Sequence, residues 1–211
     1  MLKLIPIAAC CAAIGAAALA GCGGSSGSSA SAPGSSASTP APARSTTPSG
    51  ALSGEATAAA TGDIPDNQVF LTFKDPKVGF AMRYPEGWSH QATGSRVTFR
   101  DKNNIVRVDL AKGPAPTVAS VRSELARLRA ADPSLRAQAP RAVTVAGTPM
   151  VKVTYTTRSA PNSVTGKRVT LMVDRYVLAK GGRVATVDLG TPKGVDNVDA
   201  YRMMIESFRW A

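Results

Sequence analysis

Cysteine is scarce in this 211-residue chain and lies only at its front: Cys10, Cys11 and Cys22 are the three, and nothing after them carries a thiol. The long remainder can form no disulfide and offer no thiolate nucleophile. Histidine is scarcer still, His90 alone. Zinc sites need three or four Cys, His or carboxylate ligands at workable spacing, so this chain points to no metal. A serine hydrolase would have to use His90 as its base, and no G-x-S-x-G elbow is present. A lone histidine beside a turn reads as a surface residue. The acids of Gly194-Val195-Asp196-Asn197-Val198-Asp199 lack the calcium-loop pattern and read as a helix cap. Gly181-Gly182 has no phosphate-loop context and reads as a hairpin. The expectation is no cofactor and no enzyme. A carboxylate-based hydrolase stays open as an alternative, because the acids offer many pairs and sequence selects none.

Charge is also missing where it would be informative. Up to about residue 65 there are four charged residues, Lys3, Arg44, Glu55 and Asp63, and they cancel. The net charge of +11 therefore falls on the remainder. A neutral, low-complexity front is joined to one basic domain, long enough to bury a core without disulfides or metals.

The first 22 residues, MLKLIPIAACCAAIGAAALAGC, run from a positive start at Lys3 through an uncharged apolar stretch to small residues before a cysteine. That is the order of a secretory signal peptide. Leu19-Ala20-Gly21-Cys22 resembles the lipobox of bacterial lipoproteins. The resemblance implies cleavage before Cys22 and lipid attachment to its thiol. It predicts a signal peptide at 1–21 and a membrane-anchored protein on the extracytoplasmic face of the cell membrane. Stable anchoring takes two acyl chains, each contributing about 0.8 kcal/mol per buried CH₂. The alternative, an uncleaved transmembrane helix, would need about 20 apolar residues, and this Ala/Gly-rich run falls short.

Residues 22–66 form a Ser/Gly/Ala/Pro-rich segment almost without apolar side chains larger than alanine. Such a segment cannot bury enough surface to offset its ordering entropy, which predicts a disordered tether. A flexible coil of roughly forty residues spans about 35 Å. Its Ser/Thr/Pro content would also suit O-glycosylation, although a bare spacer is the simpler reading.

Residues 67–211 have the texture of a folded α+β domain. Phe80, Met82 and Tyr84 alternate with Ala81 and Arg83 at strand period, and Pro85 and Gly87 break the run. Val97 and Phe99, then Val106, Val108 and Leu110, flank the polar turn Asp101-Lys102-Asn103-Asn104 as a hairpin. In 117–131, Val118, Val121, Leu125 and Leu128 recur at helical spacing until Pro133. Strand alternation returns in 143–155 and 169–178, around a polar loop at 158–167. Gly181-Gly182 turns the chain into a strand at 184–189. Asp196 is expected to cap a closing helix that presents Val198, Tyr201, Ile205 and Phe208 and ends near Ser207-Phe208-Arg209-Trp210. Short turns between strands predict a mostly antiparallel sheet on which both helices bury a stripe. Trp88, Phe208 and Trp210 read as packing residues rather than exposed binding aromatics.

Gly79-Phe80 leading to Tyr84-Pro85-Glu86-Gly87-Trp88, followed by a hairpin, a helix, long strands and a closing Ser-Phe-Arg-Trp, resembles the Mog1/PsbP-like superfamily. Among exported proteins it is similar to PsbP-related and LpqN-type lipoproteins. The resemblance covers roughly 68–211 and implies an antiparallel sheet between helices, an α/β/α sandwich. It also implies a non-catalytic binding or assembly module, with no catalytic residue to carry over. Nothing in the chain places it in photosynthesis.

The remaining signal is the basic charge, which favours anionic partners. Arg122, Arg127 and Arg129 on the helix, and Arg158, Lys167 and Arg168 around the 158–168 loop, are the candidate binding residues. Outside a membrane the expected partners are an envelope protein or an anionic lipid or wall polymer, with nucleic acid not expected. The competing readings are a solvated surface without a ligand, or a structural envelope protein associating by charge.

Overall fold

The computed structural model describes residues 62–162 and 166–211. The expected signal peptide, the Leu19–Cys22 motif with Cys22 as the expected lipid-attachment site, and the expected tether before residue 62 lie outside the described residues. The chain order is β1 (Phe70–Asp75), β2 (Phe80–Pro85), β3 (Ser89–Thr93), β4 (Arg96–Asp101), β5 (Asn104–Lys112), α1 (Val118–Ala131), β6 (Arg136–Ala137), β7 (Arg141–Val145), β8 (Thr148–Arg158), β9 (Thr170–Lys180), β10 (Arg183–Pro192), α2 (Val198–Glu206) and β11 (Arg209–Trp210).

Eight strands form one sheet, in the order β3-β4-β5-β10-β9-β8-β6 with β7 also on β8. Three more form a small sheet, β1-β2-β11. Every strand pairing is antiparallel, as expected of strands joined by short turns. The β9–β10 turn is made by Gly181 and Gly182, both at positive φ (58° and 72°), the geometry a two-residue hairpin requires.

The alternation legible in the sequence becomes two cores on opposite faces of the large sheet. Val97, Phe99, Val106, Val108, Val187 and Leu189 point to one side, where the small sheet and α2 add Phe73, Phe80, Met82, Tyr201, Met204 and Phe208. On the other side, Val121 and Leu125 of α1 pack on Val151, Val153, Tyr155, Leu171, Val173 and Val177. Each fully buried side chain of this kind contributes about 1.5–3 kcal/mol. Trp88 and Phe208 belong to the first core, and Trp210 packs against it, so all three are packing residues as expected.

Helix α1 opens on a capping box. The Thr117 hydroxyl accepts from the Ser120 amide (3.0 Å), and the Ser120 hydroxyl accepts from the Thr117 amide (2.9 Å). Helix α2 corrects two expectations. Its N-cap is Asn197 rather than Asp196, whose carboxylate accepts only from the Val198 amide (3.2 Å). The helix also stops at Glu206: Arg209 and Trp210 leave it to pair with Ala81 and Phe80 on β2. Completing the small sheet satisfies backbone groups that another helical turn would have left at the surface.

Asn197 makes no cap hydrogen bond because its side chain is committed elsewhere. Its carbonyl accepts from the Ile64 amide (2.8 Å), and its amide donates to Gly62 O (3.1 Å), Asn104 Oδ1 (3.1 Å) and Thr191 Oγ1 (2.9 Å). Asn104 also donates to Gly62 O. The packed chain thus reaches back past residue 67 to Gly62, and Ile64 joins the first core. Replacing Asn197 by alanine would strand several buried polar groups, at a cost of about 1–3 kcal/mol. Hydrogen exchange should then show the Ile64 amide losing protection, while β9 and β10 amides keep theirs; unchanged protection at Ile64 would contradict this clamp.

Candidate functional site

A helix is about 10–12 Å wide, and strands lie about 4.8 Å apart, so one helix covers little more than two strands. Helix α1 covers β8 and β9. The same face of β4, β5 and β10 is left without a helix above it. The burial pattern of β5 records this: Asn104, Val106 and Val108 are buried toward the first core, whereas Ile105, Arg107 and Asp109 on the other face are only half-buried.

Where α1 ends, this shortfall becomes a cleft of about 590 Å³, within the usual range for ligand sites. Leu128, Ala131, Asp132 and Leu135 form one wall, and Lys102 and Asn103 in the β4–β5 turn, with Asn104 at the start of β5, form another. Residues 158–162 close one end, and Tyr155, Leu171, Val173, Arg175 and Asp188 make the floor. Among the charged lining residues, Arg100, Lys102, Arg107, Arg158 and Arg175 are cationic, and Asp132 and Asp188 are acidic.

Both acids are engaged. Asp188 holds Arg175 through two parallel bonds, Nε to Oδ1 (2.7 Å) and Nη2 to Oδ2 (2.9 Å). The third guanidinium nitrogen donates to Glu124 Oε1 on α1 (2.6 Å), tying the helix to the sheet. Arg175 and Asp188 are 7% and 6% exposed, so this pair is shielded and geometrically fixed. Burial by itself would lower the Arg175 pKa, but hydrogen bonds and the charge of Asp188 outweigh it and hold the guanidinium protonated. Burial, then the Asp188 charge, push the Tyr155 hydroxyl up, so it stays neutral. Asp132 accepts from the Ser134 hydroxyl (2.6 Å) and from Thr157; these bonds hold its carboxyl below the usual range although burial opposes them. Among the described residues, no ion pair engages Arg100, Arg107 or Arg158.

Of the basic residues proposed from sequence, the structure brings Arg158 alone into this cleft. Arg122 and Arg129 line a smaller hollow of about 290 Å³ beside residues 137–140. Arg127 is exposed on α1 and lines neither. Lys167 and Arg168 are exposed, and Arg168 donates to Ser159 O (2.9 Å). His90 lies on the exposed edge strand β3, its ring against Phe73, Tyr84 and Phe99 rather than in the cleft. Sequence reasoning missed Arg100 and Arg107. The signal was present in the β4–β5 hairpin: with Val97, Phe99, Val106 and Val108 inward, the intervening Arg96, Thr98, Arg100 and Arg107 must share the opposite face. No group of His, Cys, Asp and Glu among the described residues is arranged to hold a metal ion, and none of their helices is long and apolar enough to cross a membrane.

No family model matches the chain, and no curated protein does. Solved structures do match. The solution structure of cyanobacterial PsbP from Synechocystis sp. PCC 6803 is 18% identical, covers 72% of this chain and 99% of its own, and gives a TM-score of 0.51. The Ran-binding protein Mog1p of Saccharomyces cerevisiae is 11% identical over 68% of this chain and 96% of its own, at 0.44. LpqN of Mycobacterium tuberculosis, described as involved in cell envelope biogenesis, is 14% identical over 69% and 92%, at 0.40. With the antiparallel sheet and the two helices of its described residues, and its likeness to cyanobacterial PsbP, the domain has the Mog1/PsbP-like α+β fold expected for roughly residues 68–211.

Proposed function

We propose that this protein is a lipid-anchored, non-catalytic binding module on the extracytoplasmic face of the membrane, and that its cleft holds an anionic envelope component. The observation that carries the reading is the cleft itself: roomy, half apolar, with five cationic side chains against two acids that are already engaged. The Leu19–Cys22 motif supports the anchor, and the Ser/Gly-rich tether supports reach away from the lipid surface.

The same details weigh against a carboxylate hydrolase. A general acid needs a carboxyl whose pKa is raised, whereas that of Asp132 is lowered. Asp188 is buried and bound by Arg175 through both oxygens, which makes it a structural partner of that guanidinium rather than an exposed catalytic carboxylate.

Crosslinking on intact cells tests the reading, with Cys22→Ser as the untethered control and Ala131→Trp to fill the cleft. Material recovered with the native chain after high-salt washing, and lost in Ala131→Trp, is the expected result. Material that washes away with salt, or that Ala131→Trp retains as the native chain does, would leave only surface attraction over a Debye length of about 10 Å and would end the binding-module reading.

A further inference from the structure

We propose that Arg100 and Arg107 form a phosphate-binding pair on the open face of the β4–β5 hairpin, at the edge of the cleft. This rests on the binding-module reading and names the chemistry of its ligand. Arg100 stands opposite Ile105, and Arg107 stands opposite Thr98. The two arginines are therefore diagonal neighbours on one face, with backbones about 7–8 Å apart. Their long side chains can converge on one anion from that spacing.

The neighbouring charges make the pair available. The acids on this sheet face each hold their own arginine: Asp109 binds Arg96 (2.5 Å), and Asp188 binds Arg175. Arg107 lies directly opposite Asp188 in the β5–β10 register yet makes no ion pair with it; Asp188 is turned to Arg175, which bonds both of its oxygens. Two guanidinium groups thus remain in excess at the cleft edge, with Arg158 lining the same cleft. Asp132, in the cleft wall, has its oxygens turned to Ser134 and Thr157. Paired guanidinium forks suit a tetrahedral phosphate, to which each can donate two bonds. Ammonium groups would act there only as point charges. The ligand class is a phosphate group, free or as the headgroup of a lipid.

Isothermal titration of the full chain carrying Cys22→Ser distinguishes these sources. Inorganic pyrophosphate and monomeric dihexanoylphosphatidic acid are the two probes. At least one should bind, and Arg100→Gln with Arg107→Gln should weaken it about tenfold or more, the loss expected of removing charge-assisted bonds. Arg127→Gln with Arg141→Gln, which removes an equal charge outside the cleft, should leave the affinity within about twofold. Binding of pyrophosphate alone assigns a free phosphate; binding of the lipid alone assigns a headgroup. If neither probe binds, or if the double variant binds as the native chain does, the phosphate pair is wrong. Ala131→Trp separates that failure from a wider one. Loss of binding in Ala131→Trp but not in the arginine variant keeps the cleft and rejects the pair, whereas loss in neither rejects both.

Discussion

Arg175→Met is expected to destabilise the domain by about 3–5 kcal/mol, the cost of leaving a carboxylate buried without its partner. The variant would leave Asp188, only 6% exposed at the floor of the cleft, with its former guanidinium bonds replaced by an apolar chain. It would also cut the link from Glu124 to the sheet, although that carboxylate is exposed enough to be rehydrated (35% of its side chain). Urea denaturation followed by circular dichroism would report the change. Joint replacement by Arg175→Met and Asp188→Leu should recover most of the loss, because well-packed apolar residues often replace a buried pair at little cost. If Arg175→Met alone cost under about 1 kcal/mol, Asp188 would have to be taking up a proton or finding water, and the account of a shielded pair would be wrong.

Phe99→Ala is the second large effect, also about 3–5 kcal/mol. Phe99 is fully buried and joins the large sheet to the small one. Its ring meets Phe73 edge-on at 5.5 Å, Tyr84 at 5.0 Å and His90 at 5.9 Å. Phe73 in turn lies 5.2 Å from Phe80, which stacks on Phe208 at 5.5 Å. Removing the ring opens a cavity where two sheets meet, and neither can move in to fill it without breaking its own ladder. Thermal unfolding would measure the loss. Hydrogen exchange should show β1 and β2 losing more protection than β9, since they are held to the large sheet through this cluster. Equal losses everywhere would mean that the small sheet does not depend on it.

The elements that were legible in the sequence are those whose periodicity is set by a core on one side. Phe80, Met82 and Tyr84, the Val97–Leu110 hairpin and the α1 stripe fall here, because each presents alternating or 3.6-spaced apolar residues to a packed face. Strand β3, Ser-His-Gln-Ala-Thr, carries no such signal. It is exposed throughout and exists only because β4 offers a backbone partner. Strand β11 is two residues long and likewise has its reason in β2 rather than in its own sequence. Asn197 reads as a helix boundary in either view. That its side chain would turn inward, to hold Gly62 and Ile64 from 133 and more residues away, depends on contacts no local pattern records.

The sequence by itself determined the division into a neutral front and a basic domain, the absence of cysteine after Cys22, the L-A-G-C motif and the α+β class. These follow from composition and short-range spacing, where each residue speaks for itself. Only the tertiary structure decided which charges matter together. Six basic residues stood out in helix 117–131 and loop 158–168, yet the fold spreads them over separate surfaces and places Arg158 in the same cleft as Arg100 and Arg107 instead. Strand register and the limited width of a single helix make that choice. Both are set by which distant strands pair, and a charge acts on a ligand through distance in space rather than along the chain.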